Sequence, residues 1–305
     1  MSLASRLPYD HAFAGGFSGI GSQPLPTDAD AIDYLSRMAT ADGAGVETGV
    51  AVAVDAFIRD AKELGVFSAL KACCILAGAR TLAGALVPVV GDAPTNVADG
   101  FVEGDYSRTA GLTGDGATTY LDSGRNNNAD PQNSVHHSIW VSAQGSAVSV
   151  PIGAGFNLTG ATRCAVSFGT SVVTPRIREA APQPGISDAP LSGSFFGYRR
   201  SAAAASLIRI NGSDYARTTT SEVPFDGNVF VFADNNNGNL AGYTDATLAF
   251  YSIGTSLSLA DLDTAVTNLL TRMKFALLTG ENPAPYDIDT LDYVVRGYEN
   301  GGTLE

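Results

Sequence analysis

The chain has 305 residues, with 31 Asp and Glu against 18 Lys and Arg, so its formal net charge is −13. This charge argues against a nucleic-acid-binding protein, which needs a basic face for phosphates, and against an electrostatic partner of anionic membranes. Charged residues make up only 16% of the chain, compared with about 25% in a typical globular protein, so either uncharged polar residues solvate the surface or partners cover it.

Segments for export or membrane insertion are not predicted. No apolar run reaches the roughly 18 residues of a transmembrane helix, and the first residues lack the basic and apolar regions of a signal peptide. The three cysteines, two of them adjacent, do not form a disulfide framework. We therefore expect a protein made in a reducing cytosol.

Residues 1–27 are rich in Gly and Pro, with the isolated aromatic residues Tyr9, Phe13 and Phe17. Such a segment is typical of an extended arm that becomes ordered only against a partner. The three aromatic residues are then candidate assembly contacts. The alternative interpretation is a flexible terminus.

Residues 28–92 are predicted to form a small helical unit and a linker. Thr27 as N-cap with Asp30 three residues later resembles a capping box, and Ile32 lies on the apolar face of the helix that follows. A second amphipathic helix runs to Gly65, and a third, weaker one is predicted from Phe67 to Gly78. This third segment contains Cys73 and Cys74, for which we expect a buried structural role rather than redox or metal chemistry.

Residues 93–280 have the pattern of a β-sandwich. Residues 135–143 alternate between apolar and polar side chains, as half-buried strands do. Similar short runs occur at 147–152, 163–168, 205–210, 228–233 and 246–253, separated by turn sequences such as Asn211-Gly212. Many short strands with no helices between them predict a mainly β fold, an antiparallel β-sandwich or jelly roll.

The helical period returns at the end of the chain. Apolar residues at spacings of three and four predict an amphipathic helix over 258–278 that closes the sandwich, with Ser258 as N-cap and Gly280 as its end. Residues 281–305 are acidic and are predicted to be a partner-facing or loosely ordered tail.

Catalytic and metal-binding motifs are weak. The adjacent pair His136-His137 lies on a predicted strand, where neighbouring side chains point to opposite faces, so one metal ion does not easily take both. No phosphate-binding loop, His-Glu-x-x-His or Cys-x-x-Cys motif occurs. We expect no metal and no cofactor, and an enzyme is not indicated, although sequence does not show whether two carboxylates have the geometry of a glycosidase.

Two asparagine triplets are the most distinctive local features. Asn offers both a hydrogen-bond donor and an acceptor without charge, which suits sugar hydroxyls. The predicted glycan-binding residues are Arg125, Asn126, Asn127, Asn128, Asn235, Asn236 and Asn237. The alternative, which the composition favours, is that the triplets form uncharged turns. The pair Arg199-Arg200 is interpreted as a solvated strand end or a contact for an acidic partner.

Residues 105–116 (DYSRTAGLTGDG) lead into residues 120–131 (YLDSGRNNNADP). This stretch resembles the opening of the concanavalin A/laminin-G-like domains of bacteriophage and prophage structural proteins. Residues 249–257 (AFYSIGTSL) and the helix after them are similar to the way those domains close. The resemblance extends over roughly residues 30–278 and implies a concanavalin A-like jelly roll on a phage particle, without assigning functional residues.

The expected function is that of a non-enzymatic virion protein of the tail, fibre or capsid surface. Such a protein would assemble in the bacterial cytoplasm as a homo-oligomer, with a trimer as the favoured state, and contact other virion proteins. Attachment to host surface carbohydrate is compatible with this role. The alternative is a polysaccharide depolymerase, and no contact with nucleic acid or membrane is expected.

Overall fold

The computed structural model describes residues 26–97, 100–179, 183–187, 189–283 and 288–299. The predicted assembly contacts Tyr9, Phe13 and Phe17 lie outside these residues. Within the described ranges the helices are α1 (Ala29–Asp42), α2 (Thr48–Glu63), α3 (Leu82–Ala85), α4 (Leu259–Thr279) and α5 (Ile288–Glu299).

The strands form two sheets whose pairings are antiparallel except for one short parallel pairing within the second sheet. In chain order they are β1 (Leu70–Ile75), β2 (Pro88–Val90), β3 (Thr95–Asn96), β4 (Tyr106–Ser107), β5 (Gly111–Thr113), β6 (Leu121–Asn126), β7 (Val135–Ala143), β8 (Val148–Ala154), β9 (Ala161–Ser167), β10 (Val172–Glu179), β11 (Ser194–Ala202), β12 (Ala205–Ile210), β13 (Ser213–Arg217), β14 (Asn228–Val231), β15 (Asp234–Asn236), β16 (Asn239–Ala241) and β17 (Thr247–Gly254). Sheet A has the order β13-β12-β11-β7-β17-β1-β2, with β5 also on β17 and β4 on β5. Sheet B has the order β10-β9-β8-β14-β6-β3, and β15 joins it in parallel beside β8.

The molecule has three layers, because sheet A is covered on both faces. One core lies between the two sheets and includes Ile139, Ile152 and Val231. A second core lies between the other face of sheet A and the helices, and includes Phe57, Phe250 and Leu269. The predicted β-sandwich with a closing helix is confirmed.

Strand β1 corrects the third predicted helix. Residues 67–69 form one 3-10 turn, and Leu70–Ile75 pair with β17 on one side and with β2 on the other. Cys74 faces the core between the sheets, whereas Cys73 faces the helices. A strand buried on both faces has no polar alternation, so its apolar run was indistinguishable from a weak helix.

The segment 28–92 is therefore tied to the sandwich through β1 and β2. Helix α1 begins one residue later than predicted: the N-cap is Asp28, whose carboxylate accepts hydrogen bonds from the backbone N–H groups of Asp30 and Ala31. Ile32 is 50% exposed rather than buried, because Ala31, Leu35 and Met38 occupy the inner face of α1.

The predicted ends of the last long helix are confirmed. Ser258 caps α4 by accepting a hydrogen bond from the N–H of Asp261, and Gly280 ends it in the left-handed conformation. Residues 288–299, predicted as part of a partner-facing or loosely ordered tail, form α5, which packs on α4 through Phe275, Leu291 and Val295. None of the described helices is long and apolar enough to cross a membrane.

Candidate functional site

A cleft of about 360 Å³ opens between the helix-facing side of sheet A and the helices α4 and α5. It combines one aromatic side chain with hydroxyl, amide and charged groups. It is lined by Thr109, Trp140, Ser142, Gly193, Asn211, Ala249, Asp263, Thr267, Leu270, Thr271, Lys274, Asp292, Val295, Arg296 and Glu299.

Trp140 supplies the aromatic surface of the cleft and is the only tryptophan of the chain. It lies in the middle of β7, opposite Phe195 of β11 and Phe250 of β17. Those two phenylalanines are fully buried under the helices, whereas Trp140 is half-buried. The neighbours on both strands therefore hold the indole in place while part of it stays accessible.

The charged groups of the cleft are paired with one another or with the surrounding wall. Arg209 Nε donates to Asp263 Oδ2 at 2.8 Å, and Arg296 Nε donates to Asp292 Oδ2 at 2.7 Å. Lys274 on α4 forms an ion pair with Glu299 on α5. The Lys274–Glu299 pair also fastens α5 to α4, and the Arg209–Asp263 pair fastens α4 to sheet A, whereas the Arg296–Asp292 pair lies within α5.

Of the uncharged polar side chains of the cleft, Thr267 donates to Asp263 and Thr109 bonds to Ser107, and the other three are not engaged. Among the described residues, the side chains of Ser142, Asn211 and Thr271 have no hydrogen-bond partner. Asn211 stands in the two-residue Asn211-Gly212 turn between β12 and β13, where both residues have positive φ (43° and 82°). This confirms the predicted tight turn and places an amide beside the cleft.

The first asparagine triplet is held by its own loop. Asn126 Nδ2 donates to Asp226 at 2.8 Å, and its Oδ1 accepts from the N–H groups of Asn128 and Gly227. Asn127 is 2% exposed and donates to the backbone carbonyls of residues 160 and 225. Only the Asn128 side chain is exposed.

Arg125 is also engaged within the protein. Its guanidinium makes two hydrogen bonds to the buried carboxylate of Asp130, at 2.6 and 3.1 Å. Such a two-point ion pair fixes both side chains. Arg125 thus closes the 126–129 turn.

The second triplet belongs to the β15–β16 hairpin. Asn235 is buried, donates to the carbonyl of Asn228 and accepts from the N–H of Gly238. Asn237 and Gly238 both have positive φ, which a two-residue hairpin turn requires. Asn236 is half-buried and Asn237 exposed. The turn interpretation accounts for these contacts, and glycan binding by either triplet stays a prediction.

The two triplets do lie in one region of sheet B. Asn228 pairs with Asn126 across β14 and β6, and its carbonyl accepts the hydrogen bond from Asn235. The Trp140 cleft lies on sheet A, away from both triplets. The two predicted loops therefore lie next to each other on sheet B, and neither of them lines the cleft.

Buried arginines form the frame behind the first triplet. Arg178 is fully buried, and its guanidinium donates to the backbone carbonyls of Asn127, Asp130 and Pro131. Arg200, predicted at a solvated strand end, is also fully buried and donates to the carbonyls of Ile177 and Thr219. Its guanidinium satisfies backbone groups at the irregular end of the sandwich, so the solvated interpretation of Arg200 is wrong.

The adjacent histidines are structural. His136 is fully buried; its Nδ1 lies 2.6 Å from the carbonyl oxygen of Thr255 and its Nε2 lies 2.9 Å from Ser252 Oγ. His137 faces the opposite core and lies against the Tyr198 ring. Burial lowers the pKa of His136 to about 4 and that of His137 well below its usual value. In the part of the chain that the structure describes, no group of three metal-ligating side chains occurs.

A buried polar group lies on the outer face of sheet B. Asp234 is fully buried; its Oδ1 accepts from the N–H of Phe156, and its Oδ2 has no hydrogen-bond partner among the described residues. Burial raises the pKa of Asp234 to about 6, against the opposing effects of the Phe156 hydrogen bond and of Arg163 and Arg176. The Arg163 guanidinium stacks on the Phe156 ring at 4.8 Å.

Sequence reasoning missed the cleft. Its walls come from β7, β17, α4, α5 and the loops between strands, which only the tertiary fold brings together. The one available indication was the single tryptophan within an otherwise regular strand.

No family model matches this chain, and no curated protein matches it. Several solved structures share parts of the fold. The NanB sialidase of Streptococcus pneumoniae is 11% identical with a TM-score of 0.38, and the match covers 44% of this chain but only 24% of the sialidase. The CBM40 domain of the Ruminococcus gnavus IT-sialidase, bound to α2,3-sialyllactose, is 15% identical with a TM-score of 0.34 over 46% of this chain and 84% of that domain. The binding domain of botulinum neurotoxin serotype D is 10% identical with a TM-score of 0.44 over 66% of this chain and 51% of the other.

Proposed function

We propose that this chain is a non-enzymatic carbohydrate-binding β-sandwich displayed on a bacteriophage particle, and that its ligand site is the Trp140 cleft. The observation that carries the binding proposal is the partly accessible indole of Trp140 beside unpartnered hydroxyl and amide groups. An aromatic face packs against the C–H face of a sugar ring, while hydroxyls and amides exchange hydrogen bonds with its edge.

Binding is favoured over cleavage by the state of the carboxylates. Asp263, Asp292 and Glu299 each contact a cation, whereas the acid of a glycosidase must hold a proton to give to the leaving group. Asp234 is the carboxyl group with a raised pKa among the described residues, and it is fully buried away from the cleft. The depolymerase alternative predicts new reducing ends when the protein is incubated with host envelope polysaccharide; their release would overturn the non-enzymatic assignment.

The particle assignment is supported by the resemblance of residues 105–131 and 249–257 to phage structural proteins and by the low charged fraction. Mass spectrometry of purified phage particles from the host is expected to detect the chain as a stoichiometric component. Its absence from the particles would overturn this part of the proposal and leave the binding part standing.

A glycan array tests the binding part. The wild-type chain is expected to bind a defined set of glycans. Two variants are expected to lose that binding: Trp140→Ala removes the aromatic surface, and Thr271→Arg places a larger side chain in the cleft from a half-buried position on α4. The matched control is the double change Asn128→Ala and Asn237→Ala, on the exposed loop positions. Unchanged binding by both folded cleft variants would refute the cleft, and loss of binding in the loop variant alone would assign the site to the triplets.

A further inference from the structure

The charge balance of the Trp140 cleft limits the class of ligand that it accepts. Three carboxylates line the cleft, from Asp263, Asp292 and Glu299. Three cations contact them, from Arg209, Arg296 and Lys274. Arg209 also contacts Asp214 at 2.7 Å, so the lining with its contacting wall has four carboxylates against three cations, and every charge in it faces an opposite charge.

An acidic sugar would find no free cation in this arrangement. To gain an ionic contact, its carboxylate would have to displace Glu299 from Lys274, Asp292 from Arg296 or Asp263 from Arg209. Each displacement leaves a protein carboxylate without its partner, and the Asp263 side chain is only 11% exposed. Asp263 is held further by Thr267 Oγ1, which donates to its Oδ1 at 3.3 Å. Loss of a partner is costly for a group so poorly solvated.

A neutral sugar meets none of these costs. Its hydroxyls can donate to and accept from Ser142, Asn211 and Thr271, whose side chains have no partner among the described residues, and its apolar face can cover Trp140. Uncharged ligands also leave intact the ion pair between α4 and sheet A, the pair between α4 and α5, and the pair within α5.

We infer that the Trp140 cleft selects uncharged oligosaccharides over acidic ones. This inference rests on the proposed carbohydrate-binding function and adds the ligand class. It differs from the sialylated ligand that the CBM40 domain holds.

Isothermal titration calorimetry on the full chain tests the selection. The uncharged probes are pentasaccharides of glucose, galactose, mannose and N-acetylglucosamine; the acidic probes are 3′-sialyllactose and pentagalacturonic acid. At least one neutral probe is expected to bind at least about tenfold more tightly than either acidic probe. Its Kd is expected to change by less than about twofold between roughly 20 and 500 mM NaCl, because no net charge is neutralised.

One variant pair tests the physical cause. Glu299→Gln removes the partner of Lys274 and is expected to strengthen binding of 3′-sialyllactose by about threefold or more at low salt. Asp289→Asn makes the same charge change in the first turn of α5, outside the cleft lining, and is expected to leave the affinity for 3′-sialyllactose unchanged.

The outcomes separate the two proposals. Acidic probes that bind the wild type as tightly as neutral ones, or a Kd that weakens tenfold or more with salt (about 1.4 kcal/mol), overturn the inference and leave the carbohydrate-binding function in place. If calorimetry detects no binding heat with any probe of either class, and the glycan array shows no bound glycan, the proposed function itself is overturned.

Discussion

The carboxyl group of Asp234 makes the free energy of unfolding depend on pH. Burial raises its pKa from 3.8 to about 6 in the folded protein. The folded state therefore binds more protons than the unfolded state between pH 4 and 6, so the contribution of Asp234 to the free energy of unfolding falls as pH rises through this window and stays low above it. A shift of about two pKa units corresponds to about 3 kcal/mol.

Asp234→Asn removes this titration and keeps the oxygen that accepts from the N–H of Phe156. The amide replaces an oxygen that has no partner, and leaving its N–H groups unpaired reduces the gain by about 1–2 kcal/mol. We therefore expect the variant to be more stable than wild type by about 1–2 kcal/mol at pH 7.5, and no more stable, or less stable, at pH 4.

Urea denaturation at pH 4, 5, 6 and 7.5 measures this difference. Asp226→Asn, which removes an exposed carboxylate from a neighbouring loop, is the control for loss of one negative charge. A difference between Asp234→Asn and wild type that does not change with pH, or that is largest at pH 4, would refute the reasoning.

Three further predictions concern buried groups. Because burial lowers the pKa of both histidines, their contribution to stability is complete above about pH 6.5 and falls as pH falls; the contribution of His136 is lost toward about pH 4, where its folded-state pKa lies. His137→Leu should reduce this acid sensitivity in urea denaturation, and an unchanged acid slope would contradict the assignment. Arg178→Met leaves three backbone carbonyls without their donor, so we expect a loss of about 3 kcal/mol or more in the free energy of unfolding, whereas a loss below about 1 kcal/mol would show that water replaces the guanidinium. The thiols of Cys73, Cys74 and Cys164 are buried with raised pKa values, so a thiol-specific reagent should label them only after unfolding, and rapid labelling of the native protein would contradict the packing.

Local pattern was sufficient wherever an element has one buried and one polar face. The strand predicted over 135–143 is β7 with the same bounds, and the helix predicted over 258–278 is α4 within one residue at each end. Both carry an alternation or a stripe that follows directly from their period.

The sequence pattern did not predict secondary structure or burial correctly where these depend on tertiary contacts. Strand β1 is buried between the second sheet on one face and the helices on the other, so its residues lack a polar face, and no local pattern shows that both layers cover it. Arg200 looked like a surface residue because sequence does not show the backbone carbonyls that surround it. The turn interpretation is confirmed for Asn127, Asn128 and Asn237, whereas Asn126 ends β6 and Asn235 and Asn236 belong to β15. The partners of the buried side chains, among them the carbonyls of residues 160, 225 and 228, are not visible in the local sequence.

The cleft was beyond sequence reasoning for the same cause. Trp140 alternates correctly with its neighbours in β7, and nothing local distinguishes it from a core residue. Only the position of α4 and α5 over sheet A leaves its indole partly uncovered.

The central claim is that carbohydrate binds against Trp140. Because this is the only tryptophan of the chain, its fluorescence reports on the cleft alone. Titration with the strongest neutral glycan from the array is expected to shift the emission of Trp140 to shorter wavelength, saturating at the same Kd as calorimetry. Calorimetric binding with no change in the emission of Trp140 would place the ligand elsewhere and contradict the account.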